Sequence, residues 1–179
     1  MKEVKNKKNL GFVLLFVLLL VINPWFVVLT REPESLSKIN LSITSSFTES
    51  LSRYFDSFSG KFLFFSGDWL SLGKAMDSQG VLYLADGLLL VIGMAFLFRT
   101  KRDFLDNFAL CLFFLTPLPS AIFTQNALFI TSSLMIFPLV FLITSGIMAI
   151  YKKSKLWLVS MTLFYLVSLA RFYDLYFLH

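Results

Sequence analysis

The chain has 179 residues, of which 57% are hydrophobic and only 15% charged, and its mean hydropathy is +0.76. Soluble domains carry about 25% charge, and the apolar excess here falls in blocks long enough to cross a bilayer core of ~30 Å, which excludes a soluble globular domain, a disordered tail and a nucleic-acid module. The net charge of +5, from 16 Lys and Arg against 11 Asp and Glu, sits at the ends of those blocks and acts as a topology signal.

Five apolar blocks predict an all-α, polytopic membrane protein of about five transmembrane helices plus an external amphipathic helix. The first block, Leu10–Leu29, follows a basic head containing Lys2, Lys5, Lys7 and Lys8. A signal-peptide reading competes here, because the apolar run to Ile22 has the length of a signal core. Trp25-Phe26-Val27-Val28 then follow with no small-residue cleavage site. An uncleaved anchor kinked at Asn23-Pro24 is therefore expected.

Residues 31–80 form the one sizeable segment outside the spans. Leu36, Ile39, Ile43, Phe47, Leu51, Tyr54, Phe55 and Phe58 recur at spacings of three or four. That pattern predicts one amphipathic helix over about residues 35–58, lying in the membrane interface or packed on external protein. Phe62 to Phe65 then lead into Gly67-Asp68-Trp69, an aromatic anchor followed by a turn. Asp68 is a candidate for binding a cation or a sugar hydroxyl; its structural alternative is a turn cap.

The second block is Val81–Phe98, with Asp86 near its start, where an interfacial position is expected. The third, Phe108–Phe123, is interrupted by Pro117 and Pro119. Phe108–Thr116 alone would rise only about 14 Å, so a full crossing requires the helix to continue, kinked, through the prolines. A re-entrant half-helix is the alternative. Such kinks are tolerated where neighbours satisfy the freed carbonyls. The fourth block, Ala127–Ile150, carries Thr131-Ser132-Ser133, which reads as glue between helices. The fifth, Leu156–Phe177, carries Arg171 and Asp174 near its end, three residues apart. They form either an interfacial pair or a cavity-lining pair for a phosphate or sugar.

Charge assigns the sides. Lys2, Lys5, Lys7, Lys8, Arg99, Lys101, Arg102, Lys152, Lys153 and Lys155 all fall on one side of five alternating crossings. Arg31, Lys38, Arg53, Lys61, Lys74 and Arg171 fall on the other, over much longer sequence. The positive-inside rule then places the protein in the cell membrane, N-terminus cytoplasmic and C-terminus external. One histidine, His179, and one cysteine, Cys111, cannot build a typical zinc or haem site. No cofactor or metal is expected. The spans are too poor in charge for a transporter, and no nucleophile–base pair or phosphate loop is present.

Three stretches in order resemble membrane glycosyltransferases of the GT-C class, related to protein mannosyltransferases and aminoarabinose transferases. They are YFDSFSGKFLFFSGDWLSLGKAMDSQG running into VLYLADGLLLVIG, then TPLPSAIFTQNALFITSSLMIFPL, then FYDLYFLH. The resemblance implies sugar transfer from a polyprenyl-phosphate donor at the external face, with Asp68 on the ligand side; Arg171, the external cation beside a span's cavity-facing end, is the candidate phosphate contact. Two departures accompany it. The family's acidic pair after the first span is not found, Arg31-Glu32-Pro33-Glu34 being the nearest stretch. Phe129 and Ser132 stand where many members have His and Arg. The chain thus resembles the C-terminal membrane portion of such an enzyme, truncated or split and inactive alone. Its expected partners are membrane lipid, a polyprenyl-phosphate sugar and a second polypeptide carrying the catalytic half, with no nucleic acid. The competing reading is a non-catalytic small scaffold or subunit that binds partner helices.

Overall fold

The computed structural model describes residues 2–24, 26–27, 46–66, 80–99, 103–123, 127–153 and 155–177. These form α1 (Lys2–Ile22), α2 (Phe47–Asp56), a π-helical turn (Lys61–Ser66), α3 (Leu84–Arg99), α4 (Phe104–Leu115), α5 (Leu118–Ile122), α6 (Ala127–Lys153) and α7 (Lys155–Phe177). No strand occurs among the described residues. The all-helical expectation therefore holds.

Among the described residues three stretches are long and apolar enough to cross a membrane: Phe104–Ile122, Ile130–Tyr151 and Leu156–Asp174. The expectation was five. The apolar part of α1, Leu10–Ile22, is shorter. The 16 residues of α3 rise about 24 Å, somewhat less than the ~30 Å core.

Helix α6 is the hub, touching α1, α3, α4, α5 and α7. Its Ile130–Tyr151 stretch is 67% buried inside the protein, against 6% for Leu156–Asp174 of α7. The tightest seam is between α3 and α6. A Cβ on Gly93 would strike the Leu142 carbonyl, and one on Gly146 would strike the Leu89 carbonyl. Small residues let helix backbones approach this closely, which is a main source of association between membrane helices. Leu89, Leu97, Leu139, Leu142 and Ile143 fill the core beside this seam.

The Pro117/Pro119 break is clasped by α2. Pro117 removes the N–H that would reach the Phe113 carbonyl, and the Thr116 hydroxyl donates there instead at 3.2 Å. The neighbouring Phe114 carbonyl accepts from the Tyr54 hydroxyl of α2 at 2.9 Å. Ser57 and Ser120, both buried, share a hydroxyl–hydroxyl bond of 2.7 Å. Arg53 donates to the Phe123 carbonyl at 3.2 Å and pairs with Glu49 one turn away at 2.6 Å. The kinked continuation α4–α5 is thus completed by side chains, as a break inside an apolar layer requires.

The described part of the predicted 35–58 helix is α2; residues 31–45 lie outside the described residues. Tyr54 and Phe58 turn towards Phe113 and Phe114 of α4. Phe47, Leu51 and Phe55, spaced four apart, form an exposed apolar ridge. The aromatic run after α2 is more than an anchor. Phe62 and Leu63 are buried in the core, and the Leu63 carbonyl accepts from the Leu82 N–H at 2.8 Å. Gly80 makes this approach possible, because a Cβ there would overlap the Leu63–Phe64 backbone.

Candidate functional site

The candidate site is the junction where the end of α1, the start of α3 and the middle of α7 meet. Helix α1 ends at Ile22 because Asn23 turns the chain at the Asn23-Pro24 step. Asn23 is buried. Its side chain accepts from the Phe26 N–H at 3.3 Å and donates to the Val81 carbonyl at 3.3 Å. The Ile22 carbonyl, left without a helical partner, accepts from the Tyr83 hydroxyl at 2.6 Å.

Tyr83 immediately precedes α3, and Asp86 lies in that helix's first turn. Asp86 Oδ2 accepts from the Tyr83 N–H at 2.9 Å. This is the return half of a capping box, and the positive end of the helix favours a carboxylate there. Capping uses only that oxygen. Asp86 is 1% exposed, and its Oδ1 has no hydrogen-bond partner within range among the described residues. Asp86, expected at the membrane interface, is thus enclosed by the protein itself, as are its neighbours Leu82 and Tyr83.

Tyr165 of α7 is a neighbour of that carboxylate and interacts with it electrostatically. Its ring meets Tyr83 edge to face at a centroid distance of 5.3 Å. Phe172, fully buried, holds the other side of Tyr83 at 5.9 Å.

Tyr165 also lines a groove of about 730 Å³ between α1, α6 and α7. Leu15, Leu19, Ile147, Leu158 and Met161 contribute to its walls. Only Tyr151, Thr162 and Tyr165 bring hydroxyls to the lining. Thr162 spends its proton on the Leu158 carbonyl at 2.9 Å. The groove has the size of a ligand pocket. Its stem is apolar, and the Tyr165–Asp86 pair adjoins it.

Asp68 lies outside the described residues. Arg171 and Asp174 are both exposed, on either side of the buried Phe172 in sequence, and neither lines the groove. The structure thus does not bring them to the Asp86–Tyr165 pair. Other described carboxylates have local tasks. Glu49 pairs with Arg53, Asp56 accepts from Ser52, and Asp103 and Asp106 form the capping box of α4. Among the described residues no group of His, Cys, Asp and Glu could hold a metal ion.

The sequence reading missed Tyr83 and Tyr165. One signal could have flagged Asp86: it is the only carboxylate in the second apolar block, and ionisable groups in membrane segments are functional candidates by default.

No family model, no curated protein and no solved structure matches the chain.

Proposed function

We propose that this chain is a membrane module that seats the hydrocarbon chain of a lipid substrate, as part of a GT-C-like glycosyltransferase using a polyprenyl-phosphate-linked sugar at the external face. The observation that carries this reading is the apolar groove of about 730 Å³ between α1, α6 and α7. A flexible hydrocarbon chain is the ligand that such a lining favours, since it gains from burial and leaves no polar group unsatisfied. The GT-C resemblance of the three ordered stretches adds the reaction class. On this reading a second polypeptide supplies the acidic pair, and the module alone is inactive. Five crossings, with the N-terminus cytoplasmic and the C-terminus external, complete the proposal. The short helices α1 and α3 cross by local thinning of the bilayer, which costs fractions of a kcal/mol per Å.

The test reconstitutes the full chain in vesicles with two photoreactive lipids, a polyprenyl-phosphate sugar and a long-chain alcohol, each carrying the reactive group on its chain, and counts a crosslink from either. Crosslinks should map to α1, α6 and α7. Crosslinks confined to other helices, or none, would refute the seat. Turnover by the chain alone that vanishes in Asp68→Asn would replace the inactive-module reading with a catalytic one.

The scaffold reading rests on α7. Leu156, Leu163 and Val167 leave it broadly exposed and apolar, a surface suited to lipid or a partner helix. A stable hetero-complex that forms through α7 and leaves the groove unlabelled by every lipid would favour that reading.

A further inference from the structure

The strongest unassigned feature is the buried carboxylate beside the groove. Asp86 is 1% exposed, and one of its oxygens does all the capping. The other has no partner among the described residues. A buried acceptor left in this state is costly, and a ligand that supplies a donor relieves the cost. Asp86 is not itself part of the described lining; Tyr165 joins it to the groove, because Tyr165 lines the groove and interacts electrostatically with Asp86. The Tyr165 hydroxyl oxygen has lone pairs to offer. Leu89, one turn after Asp86 on α3, also lines the groove. The Ile22 carbonyl closes the junction but is already taken by Tyr83.

We propose that the groove binds a single-chain amphiphile whose head donates hydrogen bonds, a hydroxyl or an ammonium, with Asp86 and Tyr165 as its acceptors. This rests on the reading that the groove holds a lipid chain and adds the chemistry of its head. A lipid acceptor presents such a hydroxyl or amine directly at the end of its chain, without an intervening phosphate, so on this proposal the groove is the seat of a lipid acceptor. A phosphate head is disfavoured. It brings mainly lone pairs to a place whose free oxygen calls for a donor, and neither Arg171 nor any other charged residue is among the described residues that line the groove.

The experiment uses the full chain in vesicles and three photoreactive probes of equal length: an alkyl alcohol, an alkylamine and an alkyl phosphate. Labelled peptides are mapped and competition measured. Alcohol or amine should label α1, α6 and α7 about tenfold better than phosphate, the scale of one hydrogen bond to a charged group. Asp86→Asn preserves an oxygen for the Tyr83 N–H and puts a donor where the ligand's donor would sit. It should weaken alcohol and amine labelling about tenfold. Equal or better labelling by phosphate in the parent protein overturns the head assignment and leaves the lipid seat standing. Groove labelling by none of the three probes overturns both. Unchanged alcohol labelling in Asp86→Asn also overturns the assignment. Should that variant not fold, the parent competition decides alone. Leu158→Trp, which fills the groove, should abolish labelling by all three.

Discussion

Gly93 of α3 and Gly146 of α6 pack backbone to backbone, so that a Cβ built on either would lie about as close as a bond-forming contact to the opposite chain. No side chain fits there without parting the helices. The seam also fixes where Leu89 and Asp86 fall relative to α6, because they precede Gly93 on the same helix.

Gly146→Leu should therefore separate α3 from α6 and cost more than about 4 kcal/mol, in the range reserved for severe core changes. Gly60→Ala meets open space and should stay within about 0.5 kcal/mol of the parent. Thermal unfolding of both variants in one detergent gives the comparison. Equal stability of the two would contradict the close approach.

The clasp on the proline break gives a second expectation. Tyr54→Phe removes the donor to the Phe114 carbonyl while keeping the ring against Phe58. The loss should be about 1 kcal/mol, with faster proteolysis near residues 116–120. If Tyr54→Phe unfolds and is cleaved like the parent, Tyr54 does not support the kink.

Tyr83→Phe probes the junction. It strips the Ile22 carbonyl of its 2.6 Å donor without changing the packing on Phe172. A partly buried acceptor left unsatisfied costs about 1–3 kcal/mol. Faster hydrogen exchange at the end of α1 should accompany that loss. Unaltered exchange there would show that Asn23 alone holds the junction.

Accessibility of single cysteines checks the topology. A cysteine at position 59, replacing Ser59, should react with an impermeant thiol reagent in intact cells. A cysteine replacing Ser154 should react only after the membrane is opened. The opposite pattern would invert the assignment made from the basic residues. Cys111 must first be replaced, because it is exposed on α4.

Much of the fold is legible in the sequence because hydrophobic runs and their breakers act locally. The block 127–150 becomes α6, and the block 156–177 becomes α7, within a few residues at each end. Asn23-Pro24 marks the end of α1, and Pro117 separates α4 from α5, as their backbone chemistry demands. The spacing of Phe47, Leu51 and Phe55 reads directly as α2. The site was not legible in the same way. A carboxylate near the start of an apolar run looks interfacial until its neighbours are known. Asp86 is buried by Tyr83 next to it and by Tyr165, which is far away in the chain. Nothing periodic links those three. Arg171 and Asp174 share a stretch of helix, but which flank turns inwards is set by Phe172 and its contact with Tyr83. That contact is tertiary and leaves no local trace.

The bonds that fasten the end of α1 have a temporal consequence. Asn23 reaches Val81 across 58 positions, and the Ile22 carbonyl waits for Tyr83 across 61. At a synthesis rate of 5–20 residues per second, the ribosome takes roughly 3–12 seconds to add that much chain. During this interval the first helix is made but not fastened. Through that time neither Asn23 nor the Ile22 carbonyl has its distant partner. The order of events is thus written into the fold: the first helix is made early, and Tyr83 locks its end late.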